Sequence, residues 1–391
     1  MHIALLVSAL QPHQKESLAI TTINLAQQLA KEKQEVTIVS RNKWNLPAFE
    51  KKEGVAFLRI KNINKLAVYN KLLAFPLAIR KLTKSNKIEV LHSFSSAPLL
   101  VLRSLLAQKF FARKAVVIHT LKSYSIRKDV TAKSGSKLLS MLGNISYHLL
   151  NYADIITVPT AIFADRLCSK KIEAEKIRII GSHINLSRFY PQQKEKLKKK
   201  YNYGQKNILF YYGAMWEIKG TEYLIQSIPK IIQKNPETLF VFAPRNLVQA
   251  KEKYFHLIKK LGIESYVQFI EKEVVIEDYV NLADLVVLPY PHLEGTEGNP
   301  SCLLEAMACK TAVVTTDLPE LKEIAEGCVF FAKPGDVESL AETINHALNN
   351  PDLEMVERAY QKAQEFSVEK ITQKFLNLYE EAIKKKKANS S

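Results

Sequence analysis

A chain of 391 residues with 47% hydrophobic and 24% charged side chains has room for two or three domains with buried cores, and its composition is not that of a disordered chain. Gly-x-Gly occurs nowhere and a Walker A loop is also absent, which excludes the dinucleotide fingerprint and the P-loop NTPases. The net charge of +17 belongs to one half: up to Tyr190 there are 30 Lys and Arg against 11 Asp and Glu, and beyond it 26 against 28.

Met1–Leu10 is apolar but lacks the basic flank and cleavage region of a signal peptide, so it reads as a first strand. A helix follows near Ser17–Ala30, then strands at Glu35–Val39, Val55–Arg59, Glu89–His92, Ala115–His119, Ile155–Val158 and Ile177–Ile180. Helical patterns lie near Leu66–Leu82, Leu99–Ala112 and Lys137–Tyr152. After the charged, Gln-rich stretch Pro191–Lys206 a second series of strands begins, with helices between. It runs Asn207–Tyr212, Thr238–Phe242, Val267–Ile270, Leu285–Leu288, Thr311–Thr315 and Cys328–Phe331. Near-continuous apolar strands alternating with helices imply parallel sheets covered on both faces. The expected architecture is therefore α/β, with two doubly wound Rossmann-like domains facing across a cleft, residues 1–190 and 191–367. Ligands are expected there, beyond the carboxyl ends of the strands. A final helix, about 368–386, carries one stripe of Ile371, Phe375, Leu378, Tyr379 and Ala382 and is expected to pack; the Lys384–Lys387 run reads as its frayed end.

Between Lys51 and Leu150 there are 19 basic and 3 acidic residues. Leu66, Tyr69, Leu72, Leu73 and Phe75 lie among Lys61, Lys65, Lys71, Arg80 and Lys81, and Phe110 and Phe111 between Lys109 and Arg113, followed by Lys122, Arg127, Lys128, Lys133 and Lys137. Cations interleaved with bulky apolar groups suit an anionic membrane surface, where each is worth about 1 kcal/mol. A solvated lysine-rich surface is the plainer alternative. No finger, RRM or helix-turn-helix signature accompanies the charge, so nucleic acid is not the expected partner. No apolar run approaches the ~18 residues of a membrane span. Cys168, Cys302, Cys309 and Cys328 show no paired metal spacing, which suits reduced thiols. The expected location is cytoplasmic, peripheral on the inner face of the cell membrane.

The richest stretch is Glu297-Gly-Asn-Pro-Ser-Cys-Leu-Leu-Glu305. Asn299 can cap a helix with Pro300 in its first turn, and the free N–H groups of that start form an anion site. Ser301 and Glu305 share a helix face. Two carboxylates beside a phosphate-sized anion site would repel the phosphate unless they serve otherwise, and accepting hydrogen bonds from sugar hydroxyls is the natural task.

These residues resemble the retaining glycosyltransferases of the GT-B fold, family 4 or group 1, and the resemblance covers nearly the whole chain. It implies that Glu305 holds the nucleotide ribose, that Glu297 contacts the donor sugar, and that the backbone of Gly298, Asn299, Pro300, Ser301 and Cys302 meets sugar and diphosphate. In Tyr211-Tyr-Gly-Ala-Met-Trp-Glu-Ile-Lys219-Gly220 the family places an Arg and a Lys on the diphosphate. Lys219 matches, whereas Ala214 stands where the Arg is usual and Arg245 is the candidate to supply that charge. His119 matches a family histidine at the donor sugar or transfer centre, with His92 a weaker second. The loop Gln11–Ser17 departs from the family, having Lys15-Glu16-Ser17 where a Gly-Gly pair is usual. Gly181–Phe189 resembles the interdomain segment, with His183 read as structural rather than catalytic.

The implied reaction moves a sugar from a nucleotide diphosphate sugar to a glycan or lipid-linked acceptor held mainly by the basic first domain, with Lys219 and the helix start stabilising the leaving group. The chain has no Asp-x-Asp, so no metal and no other cofactor is expected. The alternative is a catalytically weak GT-B subunit that binds glycan or activates a partner, motivated by Ala214 and the missing Gly pair. A sugar-nucleotide epimerase or phosphorylase on the same architecture stands third.

Overall fold

The computed structural model describes residues 1–10, 17–61, 73–84, 87–95, 98–123, 146–245, 247–271 and 274–388. The loop 11–16, the basic positions Lys65, Lys71, Arg127, Lys128, Lys133 and Lys137, and the apolar Leu66, Tyr69 and Leu72 lie outside them. The chain divides into two compact units, Met1–Ser182 with Val368–Ser391 and His183–Ser367.

In the first unit β1 (His2–Ala9), β2 (Glu35–Asn42), β3 (Phe49–Lys52), β4 (Val55–Lys61), β5 (Val90–Ser95), β6 (Val116–Leu121), β7 (Ile155–Val158) and β8 (Ile177–Ile179) form one sheet in the order β3-β4-β2-β1-β5-β6-β7-β8. All pairs are parallel except β3 with β4. Sequence pattern misses β3 because Phe-Glu-Lys-Lys has one apolar residue and pairs only through the tight turn at Glu53 and Gly54, both with positive φ. The chain reverses direction at β1, where β2 lies on one side and β5 on the other.

The C-terminal helix Val368–Ala388 belongs to this unit. Tyr379 meets His92 Nδ1 at 2.7 Å, Arg178 pairs with Glu381 at 3.3 Å, and Lys386 donates to Asp154 Oδ2 at 2.7 Å. The lysine run expected to fray is therefore helical through Ala388, held by Asp154, which also accepts from the Val117 amide at 2.7 Å.

In the second unit β9 (Asn207–Gly213), β10 (Thr238–Pro244), β11 (Val267–Phe269), β12 (Leu285–Leu288), β13 (Ala312–Thr316) and β14 (Phe330–Ala332) form an all-parallel sheet ordered β11-β10-β9-β12-β13-β14. Side chains alternate between two cores: Ile208, Phe210, Leu239, Val241, Val286 and Leu288 face one, and Leu209, Tyr211, Phe240, Phe242, Leu285 and Val287 the other. A strand buried on both faces has to be apolar at every position, which is why these runs were continuous.

The division falls after Ser182, not after Tyr190. Residues beyond it are tied to the second unit: Ile184 N donates to Phe366 O at 2.9 Å, Arg188 pairs with Glu277 at 2.5 Å, and Phe189 lies in that unit's core. Polar composition marks Pro191–Lys206 as a linker, but burial of Ile184 and Phe189 decides the boundary. Lys194–Lys200 is itself a helix, anchored by Lys198 on Asp284 at 2.7 Å.

Candidate active site

In the second sheet the chain starts at β9 and winds outward in both directions, so the switch point lies between β9 and β12. The carboxyl ends of these two strands cannot both be covered by the same crossover, and a crevice is left there. Glu297, Ser301, Glu305 and Lys219, singled out in sequence, lie beside it. Beyond β12 the chain runs through Tyr290 and Thr296 into Glu297, and then the helix Ser301–Ala308 starts.

That helix is not capped as expected. Pro300, with φ −65° and ψ 128°, is the N-cap residue and offers no side-chain acceptor. Asn299 is fully buried, and its Oδ1 and Nδ2 have no hydrogen-bond partner. Each buried polar atom left so costs roughly 1–3 kcal/mol until a ligand or water satisfies it. With the first-turn N–H groups uncapped, helix start and amide together form a site able to hold an anion or a sugar oxygen.

Glu297 precedes this start and Glu305 lies one turn into the helix. Ser301 Oγ lies 3.5 Å from Glu297 Oε2. Glu305 accepts from Tyr212 OH at 2.6 Å, and the same hydroxyl lies 3.2 Å from Cys302 O. Burial pushes the Glu305 carboxyl up to about 7, against the lowering effects of Tyr212 and Arg188 and with the help of Glu277 and Glu297. Tyr212 was not singled out in sequence. Its signal is the period of two: Tyr211 faces one core, so Tyr212, next along β9, faces the other and reaches Glu305. Tyr290, similarly unmarked, meets Cys302 Sγ at 3.3 Å.

Lys219 enters from the β9 side. Its Nζ bonds to Thr296 Oγ1 and sits 5.0 Å from the Tyr290 ring centroid. Burial lowers its pKa; Cys302 and Glu297 oppose this, and Arg245 adds to it. Arg245 is exposed and its backbone N donates to Gly213 O at 2.8 Å. Ala214 is buried, and its carbonyl accepts from Tyr211 OH at 3.0 Å. Gly220 turns the chain from Lys219 into the helix Thr221–Lys234 at φ +72°, where a Cβ would lie 1.6 Å from Pro289 O. Only glycine allows that approach, and it presses the Lys219 loop onto the end of β12.

In the first unit His119 does not end its strand. β6 continues to Leu121, and the His119 ring is 0% exposed, with Nδ1 2.5 Å from Ser93 Oγ and Nε2 3.2 Å from Ser95 Oγ. The position expected to present this ring is thus corrected: the strand runs two residues further, and both ring nitrogens meet serine hydroxyls of the neighbouring β5. Burial, then Arg103, lowers its pKa to about 3. His92 is equally buried, between Tyr379 and Thr120 Oγ1, the latter at 2.6 Å. Lys122, one residue beyond β6 and buried, is the basic residue that does reach the carboxyl end of that strand.

The fold and this constellation define a doubly wound α/β protein with an acid-flanked, uncapped helix start at the switch point of its second sheet. The chain belongs to the glycosyltransferases of group 1 and family 4. Residues 192–366 match the profile of the glycosyl transferases group 1 and residues 18–188 that of glycosyltransferase family 4. It is 22% identical over 285 residues to a phosphatidylinositol N-acetylglucosaminyltransferase GPI3 subunit of Saccharomyces cerevisiae, covering 70% of this chain but only 58% of that protein. It is 21% identical to an N-acetyl-alpha-D-glucosaminyl L-malate synthase of Bacillus anthracis, covering 80% of each. An N,N'-diacetylbacillosaminyl-diphospho-undecaprenol alpha-1,3-N-acetylgalactosaminyltransferase of Campylobacter jejuni is 25% identical over 68% of this chain and 70% of its own length. Among solved structures, sucrose-phosphate synthase of Thermosynechococcus elongatus superposes with a TM-score of 0.81 at 19% identity, covering 97% of this chain and 98% of that one. Anabaena HepE, solved with UDP and glucose, gives 0.77 at 16% identity, covering 97% and 100%. These likenesses establish the GT-B fold.

Proposed function

We propose that this chain transfers a sugar, with retained anomeric configuration, from a nucleotide diphosphate sugar to a lipid-linked or membrane glycan acceptor. The observation that carries the reading is the convergence of Glu297, Glu305 and Lys219 on the uncapped helix start beside the unpartnered Asn299. In this reading Glu305 accepts hydrogen bonds from the ribose hydroxyls and Glu297 holds the donor sugar. The backbone of Gly298 to Cys302 takes the sugar and diphosphate. As the glycosidic bond to the diphosphate breaks, negative charge grows on the leaving oxygen. Lys219 and the helix N–H groups lie where that charge forms, and Arg245 replaces the cation lost at Ala214. One such donor is worth about 3 kcal/mol of transition-state stabilisation. No metal or other cofactor enters this scheme.

The acceptor class is supported by the printed names of the yeast and Campylobacter relatives and by one surface of the first unit. Helices Ala74–Leu82 and Val101–Phe111 pack together, with Arg80 5.8 Å from the Phe111 ring centroid. Their outer sides expose Leu77 (42%) and Phe110 (58%) among exposed Arg80, Lys81, Lys109, Arg113 and Lys114. Among the described residues no helix is long and apolar enough to cross a membrane. We read this face as a peripheral contact with the anionic inner leaflet of the cell membrane.

The test is incubation with UDP-, GDP- and ADP-sugars, with and without membrane lipid extract, following nucleotide release and glycosylated lipid. A lipid product upholds the proposal. Transfer only to a small soluble acid, the acceptor type named for the Bacillus relative, overturns the lipid acceptor, and neither turnover nor binding of any donor overturns the transferase. Sedimentation with phosphatidylglycerol vesicles tests the surface: replacing Arg80, Lys81, Lys109, Arg113 and Lys114 by Glu should abolish binding.

A further inference from the structure

Beside the Lys219 loop lies an open pocket of about 580 Å³ lined by Met215, Trp216, Glu217, Ile218, Gln249 and Lys253. None of these belongs to the acid-flanked site. Met215, 2% exposed, and the half-buried Ile218 form an apolar floor. Trp216 stands at the rim with 55% of its surface open, an unusual exposure for the largest apolar side chain. Gln249 and Lys253 are one turn apart on the helix Leu247–Lys260, so both point to the same side. Lys253 Nζ is 2.5 Å from Glu217 Oε1, which closes the polar wall across from the apolar floor.

This combination has a chemical meaning. An open indole offers a flat, electron-rich face, and the polarised C–H groups of a pyranose ring are its natural complement. Around it the wall presents an amide, an ammonium and a carboxylate, which supply donors and acceptors in alternation. Because the lysine and glutamate neutralise each other, the wall selects for hydroxyl groups rather than for a phosphate or a carboxylate. An apolar platform with a few convergent polar groups is the general form of a small-ligand site, and the volume exceeds that of one hexose.

We propose that this cavity binds a neutral hexopyranose unit of a glycan, stacked on Trp216 and hydrogen-bonded by Gln249 and the Glu217–Lys253 pair. Resting on the transferase reading, the sugar it holds belongs to the acceptor, since the pocket shares no lining residue with Lys219, Glu297, Asn299 and Glu305, which that reading gives to the donor. The chain has two tryptophans, Trp44 and Trp216, so a Trp44→Phe variant makes the fluorescence a direct report on the cavity.

That variant, checked for native circular dichroism, is titrated with glucose, N-acetylglucosamine, maltotriose and chitotriose, with UDP present and absent. The expected result is a saturable change in emission with at least one trisaccharide, unaffected by UDP and weakened at least tenfold by adding Gln249→Ala or Lys253→Ala. No saturable change with any saccharide, or a change that UDP abolishes, overturns the proposal. A blue shift produced only by phosphatidylglycerol vesicles overturns it in favour of a lipid contact. Donor binding is measured separately by calorimetry with UDP-sugars. Saccharide binding without any donor binding keeps the subsite and removes the transferase reading, and donor binding without saccharide binding does the reverse. In a turnover assay Trp216→Ala should raise the KM for acceptor about tenfold.

Discussion

Replacing Glu305 by Gln should make the protein more stable at neutral pH and less able to hold its donor. In the unfolded chain this carboxyl loses its proton near 4.5, whereas in the fold burial holds it to about 7. Between those values the folded state binds more protons than the unfolded one, so stability falls as pH rises through that window and is flat above it. At about 1.4 kcal/mol per unit the loss approaches ~3 kcal/mol above pH 7.5. Gln has no proton to lose and keeps an oxygen to accept from Tyr212, so its advantage grows from near zero at pH 4.5 to that limit. Urea unfolding at pH 5 and pH 8, followed by Trp216 emission in the Trp44→Phe background, measures it in the unit that contains Glu305. A variant no more stable than its parent at pH 8 would refute the reasoning, because the carboxylate would then carry no burial cost. The same argument sets the pH dependence of binding. Wild-type affinity for a nucleotide sugar should tighten as pH rises through about 7, while Glu305→Gln shows weak binding with no such dependence. The loss expected for hydrogen bonds to a charged acceptor is about 2 kcal/mol, or roughly thirtyfold.

Three further outcomes follow from the geometry. Gly220→Ala should leave little folded protein, since its Cβ would meet Pro289 O at 1.6 Å, whereas Gly327→Ala, at a similar positive φ with open space, should cost only about 1 kcal/mol in thermal melts. Lys219→Met should lower turnover about 100-fold while leaving the melting temperature unchanged or higher, because the buried ammonium is lost but its packing on Tyr290 is kept. Below pH 6.5 the unfolded chain protonates His92 and His119 while the buried rings stay neutral, His119 down to about 3. Their contribution to stability should be complete above pH 6.5 and fall below it by about 1.4 kcal/mol per pH unit for each ring, opposite in sign to that of Glu305, and His119→Asn should make this fall shallower.

Much of this molecule is legible along the chain because the information is local. Strands buried on both faces must be apolar throughout, so β1, β9 and β12 appear as runs, and the helix beginning at Ser301 is announced by Asn299-Pro300 after a strand. The acid pair Glu297 and Glu305 could be picked out from spacing, and the lysine before Gly220 from the family resemblance. Contacts that depend on which strand lies beside which could not. Tyr212 reaches Glu305 across 93 residues because β9 and β12 are neighbours, and Tyr379 reaches His92 across 287 because the last helix returns to the first unit. The same cause brings Ser93 and Ser95 of β5 to the His119 ring and joins residues 183–190 to the second unit through Ile184 and Phe189. Sequence by itself determined the kinds of element, their order and the charged groups available. Only the tertiary structure decided which groups lose water, and that loss raises the Glu305 pKa, lowers those of Lys219 and His119, and leaves Asn299 without a partner.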